Sequence, residues 1–142
     1  MSKETYFPIA EIEKLEIGMS ASYAQTITEA DITIFAGVSG DKNPAHVNEE
    51  YASASRYKKR IAHGMISASF FSGILGTKLP GSGCVYAAQN LIFKRAVYIG
   101  ETVTATVTVT DIDLRTRRVK LSTVCVVKKK KVIDGEAEVF IP

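Results

Sequence analysis

The sequence predicts an α+β domain in which a strongly twisted antiparallel sheet wraps around one central helix. One observation is the order of elements: a strand and short helical segments come first, a longer helix follows, and four strand-like segments complete the chain. The other is the composition of the longer helix, over residues 65–75, in which small residues occupy nearly every face. A sheet can enclose such a helix closely, so we expect it at the centre of the fold.

Length and composition exclude several classes of protein. The chain has 142 residues, the size of one ordinary domain, and we expect residues 1–142 to form a single one. Its content of 46% hydrophobic and 23% charged residues excludes a disordered or collagen-like chain. No apolar segment approaches the roughly 20 residues that span a bilayer, and the N-terminal residues lack the apolar stretch of a secretory signal. Two cysteines, Cys84 and Cys125, are too few for a disulfide framework and predict a cytoplasmic setting.

The charge is mildly basic, since 18 Lys and Arg against 15 Asp and Glu give a net charge of +3. Nucleic-acid binders carry a stronger excess gathered on one face, so we expect no nucleic-acid partner. The basic residues form two clusters, at 56–60 and 128–131. The second lies between two strand-like segments and is interpreted as a solvated hairpin turn. The first directly precedes a helix that opens with glycine, where it can meet an anionic ligand.

The first elements follow from hydrophobic periodicity and capping residues. Apolar residues recur in near-alternation over residues 19–27, which predicts a strand. Thr28 is an N-cap residue followed by acidic residues, and Gly40 can end the resulting helix in a left-handed conformation. Residues 41–47 are predicted to be a loop, because Pro44 lacks an N–H and biases the residue before it away from helix.

Two helices and four strands are expected beyond that loop. Asn48 caps a short helix over 49–55, and His63-Gly64 opens the central one. The strand-like segments cover residues 84–97, 103–109, 119–127 and 136–141. The apolar positions change from odd to even after Val109, which predicts a β-bulge near Thr110-Asp111.

The first candidate catalytic group lies in the Pro-containing loop, where Asp41, Asn43, Pro44 and His46 form the pattern D-K-N-P-x-H. Asn43 and Pro44 fix the path of such a loop, so a carboxylate and an imidazole can be held at one spot. This is what activation of a water molecule requires. From spacing alone, a turn role for Asp41 and a surface position for His46 explain the segment more simply, because Asp and Asn are common turn residues.

The second candidate group is the start of the central helix. A helix N-terminus offers free N–H groups, and glycine lets a ligand approach the backbone, so Gly64 is a candidate donor to a carbonyl oxygen that gains negative charge. Close helix–sheet packing explains Gly64 equally well, and His63 is assigned mainly to structure. Ser69, five residues on, either orients a catalytic partner or permits close packing. The His and Cys residues show no zinc-ligand spacing, so we expect no metal.

Together these motifs resemble the MaoC-like dehydratase family, and most closely its short (R)-specific enoyl-CoA hydratases. The resemblance spans about residues 15–140 and leaves 1–14 as an N-terminal extension outside the recognisable motifs. The segments that carry it are DKNPAH (41–46), RIAHGM (60–65), SFFSGILG (69–76), LPG (79–81) and LIFKRAVYIGETV (91–103). The pattern D-x-N-P-x-H combined with H-G-M at this separation is the specific part, and it favours a catalytic role for Asp41 and His46 over a turn.

The resemblance implies a hot-dog fold, a homodimer and a hydro-lyase of fatty-acid metabolism that needs no cofactor. The substrate would be trans-2-enoyl-CoA, hydrated reversibly to (R)-3-hydroxyacyl-CoA. Asp41 and His46 match the catalytic dyad, and Gly64 matches the residue whose N–H binds the thioester oxygen. Ser69 matches a serine that supports the dyad, and Asn43, within the D-x-N-P-x-H pattern, is expected to support it as well. Among the basic residues nearest this site in sequence, Arg60 and Lys94 are expected to contact the phosphates of coenzyme A.

Three alternatives remain open at this point. A hot-dog thioesterase would act on the same acyl-CoA class, but many of these place an acid on the central helix, and residues 62–77 contain none. A (3R)-hydroxyacyl-[acyl-carrier-protein] dehydratase would keep the same dyad and differ only in the carrier. An acyl-CoA-binding module without turnover would lack the dyad, whose two members are present here.

Overall fold

The computed structural model describes residues 7–142, and the predicted order of elements is confirmed. A 3₁₀ turn at Ile12–Lys14 precedes the first strand. The other elements are β1 (Ser20–Thr26), α1 (Glu29–Ser39), α2 (Pro44–Val47), α3 (Glu49–Ala54), α4 (Gly64–Thr77), β2 (Val85–Phe93), β3 (Thr102–Asp113), β4 (Arg118–Val127) and β5 (Lys130–Phe140). None of the helices within residues 7–142 is both long enough and apolar enough to cross a membrane.

The five strands form one antiparallel sheet in the order β1-β3-β4-β5-β2, and α4 is the central helix. Phe71, Ile74 and Leu75 of α4 are buried in the same core as the inward-facing residues of β3 and β4. The predicted α+β class and the hot-dog arrangement are therefore confirmed, with the sheet open between its edge strands β1 and β2. The predicted bulge is confirmed as well, because the β3–β4 register shifts between Val109 and Asp111.

The turn between β4 and β5 confirms the interpretation of the lysine cluster as part of a hairpin. Lys128 and Lys129 both have positive φ, 48° and 68°, as the two central residues of a tight hairpin turn require. The last strand nevertheless begins at Lys130 and not near residue 136. Its polar first residues pair with β4, and this backbone pairing overrides a local sequence that does not look like a strand.

The prediction of a continuous loop over residues 41–47 was wrong in its second half, where α2 forms one helical turn. Pro44 is its first residue, a position where a missing N–H costs nothing. The side chain of Asn43 caps the turn by accepting a hydrogen bond from the Ala45 N–H at 3.1 Å. The proline that predicted a loop therefore starts a helix.

The segment before β1 makes several contacts with the rest of the domain. Ile12 is 1% exposed and belongs to the hydrophobic core. Ala10 donates its N–H to the Ser82 carbonyl at 2.9 Å, and Arg117 pairs with Glu13 at 3.2 Å. The part of this segment that the structure describes thus packs on the domain, while residues 1–6 lie outside the described part.

Candidate active site

Asp41 and His46 lie close together at the exposed end of the α1–α2 connection. The distance from Oδ2 of Asp41 to Nε2 of His46 is 3.9 Å, and their side chains are 48% and 11% exposed. This distance is too long for a direct hydrogen bond, but a single water molecule can sit within hydrogen-bond reach of both atoms. The predicted pair is therefore brought together in a geometry that suits a bridging water.

Asp41 is held by the turn that its own sequence builds. Gly40 ends α1 with φ of 77°, and the Asp41 N–H donates to the Ser39 hydroxyl at 3.0 Å. Its Oδ1 accepts the Asn43 N–H at 3.1 Å, which leaves Oδ2 for the side facing His46. Asn43, expected to support the dyad, thus contacts Asp41 through its backbone and caps α2 through its side chain.

His46 is fixed by a backbone group that the sequence does not reveal. Its Nδ1 lies 2.7 Å from the carbonyl oxygen of Ile61. A carbonyl oxygen only accepts, so Nδ1 carries the hydrogen and, in the neutral ring, the lone pair of Nε2 points to the side of Asp41. The Ile61 N–H in turn donates to the Ala45 carbonyl at 3.2 Å, so two hydrogen bonds join this segment to α2.

His63 contacts both members of the dyad, and its buried position fits the structural role expected of it. It is 2% exposed, its ring stacks on that of His46 with centroids 3.9 Å apart, and its Nε2 donates to the Asp41 carbonyl at 2.8 Å. Donor atoms of Asp41, His46 and His63 lie within 4.8 Å of one another. Nδ1 of His46 and Nε2 of His63, however, each carry a hydrogen that is donated to a main-chain carbonyl, so neither of these two atoms can ligate a metal ion.

Gly64 is the first residue of α4, where N–H groups have no partner within the helix, and no side chain caps this end. A Cβ built at Gly64 would lie 2.6 Å from two ring atoms of Phe93, so a side chain here requires the ring to move. Gly64 and His46 line the same cavity, which has a volume of about 340 Å³. The helix start and the His46 member of the pair therefore border one cavity.

The cationic residues expected to bind phosphate lie in two different environments. Lys94 lines the cavity together with Arg56 and Arg95, so its position fits the expected role. Arg60 does not border this cavity; its guanidinium group is paired with Glu29 and Glu49 and is only 16% exposed. The hydrogen bonds between Arg60 and Glu29 are the main reason that the pKa of Arg60 is raised, and the same bonds lower the pKa of Glu29.

Ser69, the other expected supporting residue, points elsewhere. Its hydroxyl donates to the Ile66 carbonyl of its own helix at 2.5 Å. It lines a separate, mainly apolar groove of about 720 Å³ that also includes Phe35, Met65 and Leu91. Among the hydrogen bonds of residues 7–142, none joins Ser69 to Asp41 or His46.

Comparison with known proteins gives a consistent result. The MaoC-like domain matches residues 13–135. The chain is 55% identical over 130 residues to an (R)-specific enoyl-CoA hydratase of Rhodospirillum rubrum, which covers 92% of this chain and 90% of the relative. The solved structure of an (R)-hydratase from A. caviae involved in PHA biosynthesis superimposes with a TM-score of 0.89 at 37% identity, covering 92% of this chain and 99% of that one. The R-hydratase PhaJ1 from Pseudomonas aeruginosa gives 0.90 at 39% identity, covering 96% and 88%. The chain therefore belongs to the MaoC-like domain family.

Proposed function

We propose that this chain is an (R)-specific enoyl-CoA hydratase, a hydro-lyase that converts trans-2-enoyl-CoA and water reversibly into (R)-3-hydroxyacyl-CoA. The observation that carries the proposal is the 3.9 Å separation of Asp41 Oδ2 and His46 Nε2, beside a helix start with free N–H groups. The identity of 55% to a relative that carries this name supports the same reaction and substrate class.

The reaction needs a water molecule that loses a proton and a carbonyl that gains negative charge, and the site offers a group for each. A water between Asp41 and His46 adds its oxygen to C3, and one member of the dyad takes its proton. The other member is protonated at the start and delivers its proton to C2. The pair then holds as many protons as before, and transfer of one proton from the first member to the second restores the starting state. Charge that collects on the thioester oxygen is stabilised by the Gly64 N–H, a donor of the kind that contributes a few kcal/mol.

The two depressions beside Gly64 suit the two ends of the substrate. The cavity with Arg56, Lys94 and Arg95 at its rim suits the phosphates of coenzyme A. The separate apolar groove includes Met65, which follows Gly64 in the chain, and suits the acyl chain. In this arrangement Ser69 contacts the acyl chain, and Asn43 supports the dyad through the Asp41 turn.

We further propose that residues 1–142 form one cytoplasmic domain that assembles as a homodimer. Strand β2 is an edge of the sheet and exposes Tyr86, Ile92 and Phe93, with relative exposures of 39%, 56% and 51%. Pairing of two β2 strands across a two-fold axis would cover this apolar edge. The free thiols of Cys84 and Cys125 suit a reducing compartment. A monomeric mass in sedimentation at micromolar concentration would contradict the dimer.

The hydratase proposal is tested by incubating the protein with crotonyl-CoA and following the loss of the enoyl absorbance. We expect loss of absorbance without release of coenzyme A thiol, and a product of R configuration. Thiol release would instead identify a thioesterase. Turnover of the enoyl group on acyl-carrier protein but not on coenzyme A would identify the carrier-protein dehydratase, and an S product would contradict the stereochemistry.

A further inference from the structure

Arg60 makes four polar contacts in a small volume behind the dyad. Its Nε donates to Oε2 of Glu49 at 2.5 Å, and its Nη1 donates to Oε1 of Glu29 at 3.0 Å. Nη2 donates to the second oxygen of Glu29, so the two groups pair in a bidentate manner. Nη1 also donates to the main-chain carbonyl of His46 at 3.3 Å. The guanidinium group thus joins a catalytic residue to two acidic anchors.

The two acidic residues lie on separate elements. Glu29 is the first residue of α1, and Glu49 is the first residue of α3. His46 lies between them on α2, a helix of only four residues, which has too few internal hydrogen bonds to be rigid alone. Arg60 therefore ties the carrier of His46 to the starts of both neighbouring helices.

The same contacts argue against a direct role of Arg60 in binding substrate phosphate. Two carboxylates already neutralise its charge, and its side chain is largely buried. A phosphate would have to displace a bidentate partner, whereas Lys94 and Arg95 already line the cavity. A lysine at this position could not make the same contacts. A single ammonium group cannot reach all three acceptor groups, the two carboxylates and the His46 carbonyl, as the planar guanidinium does.

We infer that Arg60 is a positioning residue: its pairing with Glu29 and Glu49 holds the His46 backbone, and so the imidazole, at the distance from Asp41 that the reaction needs. This inference rests on the proposed hydratase function for its kinetic consequence, but its structural part stands without it. Misplacement of a reacting group by about 1 Å costs up to about 100-fold in rate. Loss of Arg60 should therefore lower kcat and leave substrate affinity nearly unchanged.

The test compares Arg60→Ala with Arg117→Ala. Arg117 is a matched control, because it also pairs with a carboxylate, that of Glu13, and donates to a main-chain carbonyl, that of Ile141. It lies in the turn between β3 and β4 and, within the described part of the chain, makes no hydrogen bond to Asp41 or His46. We expect kcat for crotonyl-CoA hydration to fall about 10- to 100-fold in Arg60→Ala only, with KM and its salt dependence unchanged. Added guanidinium ion at millimolar concentration should restore part of kcat, while sodium chloride at equal ionic strength should not.

A second measurement does not depend on enzymatic activity. The chain has two histidines, so its ring Hε1 region holds two proton NMR signals. The His46 signal, assigned from His46→Gln, should shift or broaden in Arg60→Ala and stay in place in Arg117→Ala. The expected change of the His46 signal does not depend on hydratase activity. A failure of the positioning role of Arg60 can therefore be distinguished from a failure of the proposed function.

Three outcomes would overturn the inference: a raised KM with unchanged kcat, which would make Arg60 a substrate contact; unchanged kinetics in a folded Arg60→Ala protein; or an unchanged His46 signal. If Arg60→Ala does not fold, the double variant Glu29→Gln/Glu49→Gln takes its place, since it keeps the shapes and removes both charges. The same fall in kcat and shift of the His46 signal are expected there, and their absence overturns the inference equally.

Discussion

Replacement of Asp41 by Asn separates the chemical role of this residue from its structural role. The amide keeps an oxygen that can accept the Asn43 N–H, now at 3.1 Å from Oδ1. The hydrogen bond from His63 ends on the Asp41 main-chain carbonyl and does not depend on the side chain. The turn should therefore persist, while the group at Oδ2 can no longer exchange a proton with the bridging water.

For Asp41→Asn, the expected loss of stability is much smaller than the expected loss of transition-state stabilisation. Asp41 is about half exposed and lies 3.9 Å from the His46 nitrogen, so the free energy of unfolding should fall by about 1 kcal/mol at most. General acid–base groups contribute about 100- to 10,000-fold in rate, which corresponds to about 3 to 5 kcal/mol of transition-state stabilisation. The loss of kcat should thus exceed any loss of stability several-fold, with KM little changed.

The assay is the steady-state hydration of crotonyl-CoA by Asp41→Asn, with urea denaturation of the same preparation. Asp113→Asn is the matched control, because Asp113 ends β3 and its side chain also accepts backbone N–H groups of a turn, those of Arg115 and Thr116. The double variant with His46→Gln should cost far less than the product of the two single effects, as for residues that act as a unit. A folded Asp41→Asn protein that keeps more than about a tenth of wild-type kcat would remove Asp41 from the mechanism.

Three further results are expected. Gly64→Ala should lower kcat/KM about tenfold or more, because the added Cβ would displace the ring of Phe93. Gly73→Ala is the control, since a Cβ there has no atom within 4 Å. Equal activities of the two variants would contradict the proposed role of Gly64. Lys94→Met should raise KM for enoyl-CoA and weaken its salt dependence without changing kcat, and an unchanged KM would count against phosphate contact. Burial raises the pKa of Cys125 to about 12; its thiol should resist alkylation at pH 8 until the protein unfolds, and stability should fall above about pH 9 because the unfolded chain releases this proton first.

The features predicted from the sequence are those set by neighbouring residues. Thr28 and Asp31 form a capping box within four residues of chain, and Gly40 ends the helix that they start. The bulge beside Val109 appears as a change in the alternation of apolar residues. Such patterns depend on backbone geometry over one turn or one strand, which the sequence states directly.

The features that were missed depend on residues far apart in the chain or on backbone groups. Arg60 and Glu29 are 31 positions apart in the sequence. No local sequence pattern distinguishes an arginine that pairs with acidic residues from one that is free to bind a phosphate. The group that orients His46 is the main-chain carbonyl of Ile61, and because every residue has such a carbonyl, the sequence gives no indication of this contact. The pairing of Arg60 with two acidic residues therefore could not be predicted from the sequence alone.

One short segment, residues 60–63, governs the geometry of the whole site. It supplies the Arg60 contact to the His46 carbonyl, the Ile61 contacts to α2 and the His46 ring, and the His63 contact to Asp41. The segment is itself anchored to the connection between β2 and β3 by the Ala62 N–H, which donates to the Val97 carbonyl at 2.7 Å. Gly64 follows directly, so the proposed donor to the thioester oxygen is covalently joined to the groups that contact Asp41 and His46. Each residue of this segment has only two soft dihedral angles. A change in the path of residues 60–63 should therefore affect both parts of the proposed site: the dyad proposed to hold the water that adds to C3, and the N–H proposed to bind the thioester oxygen.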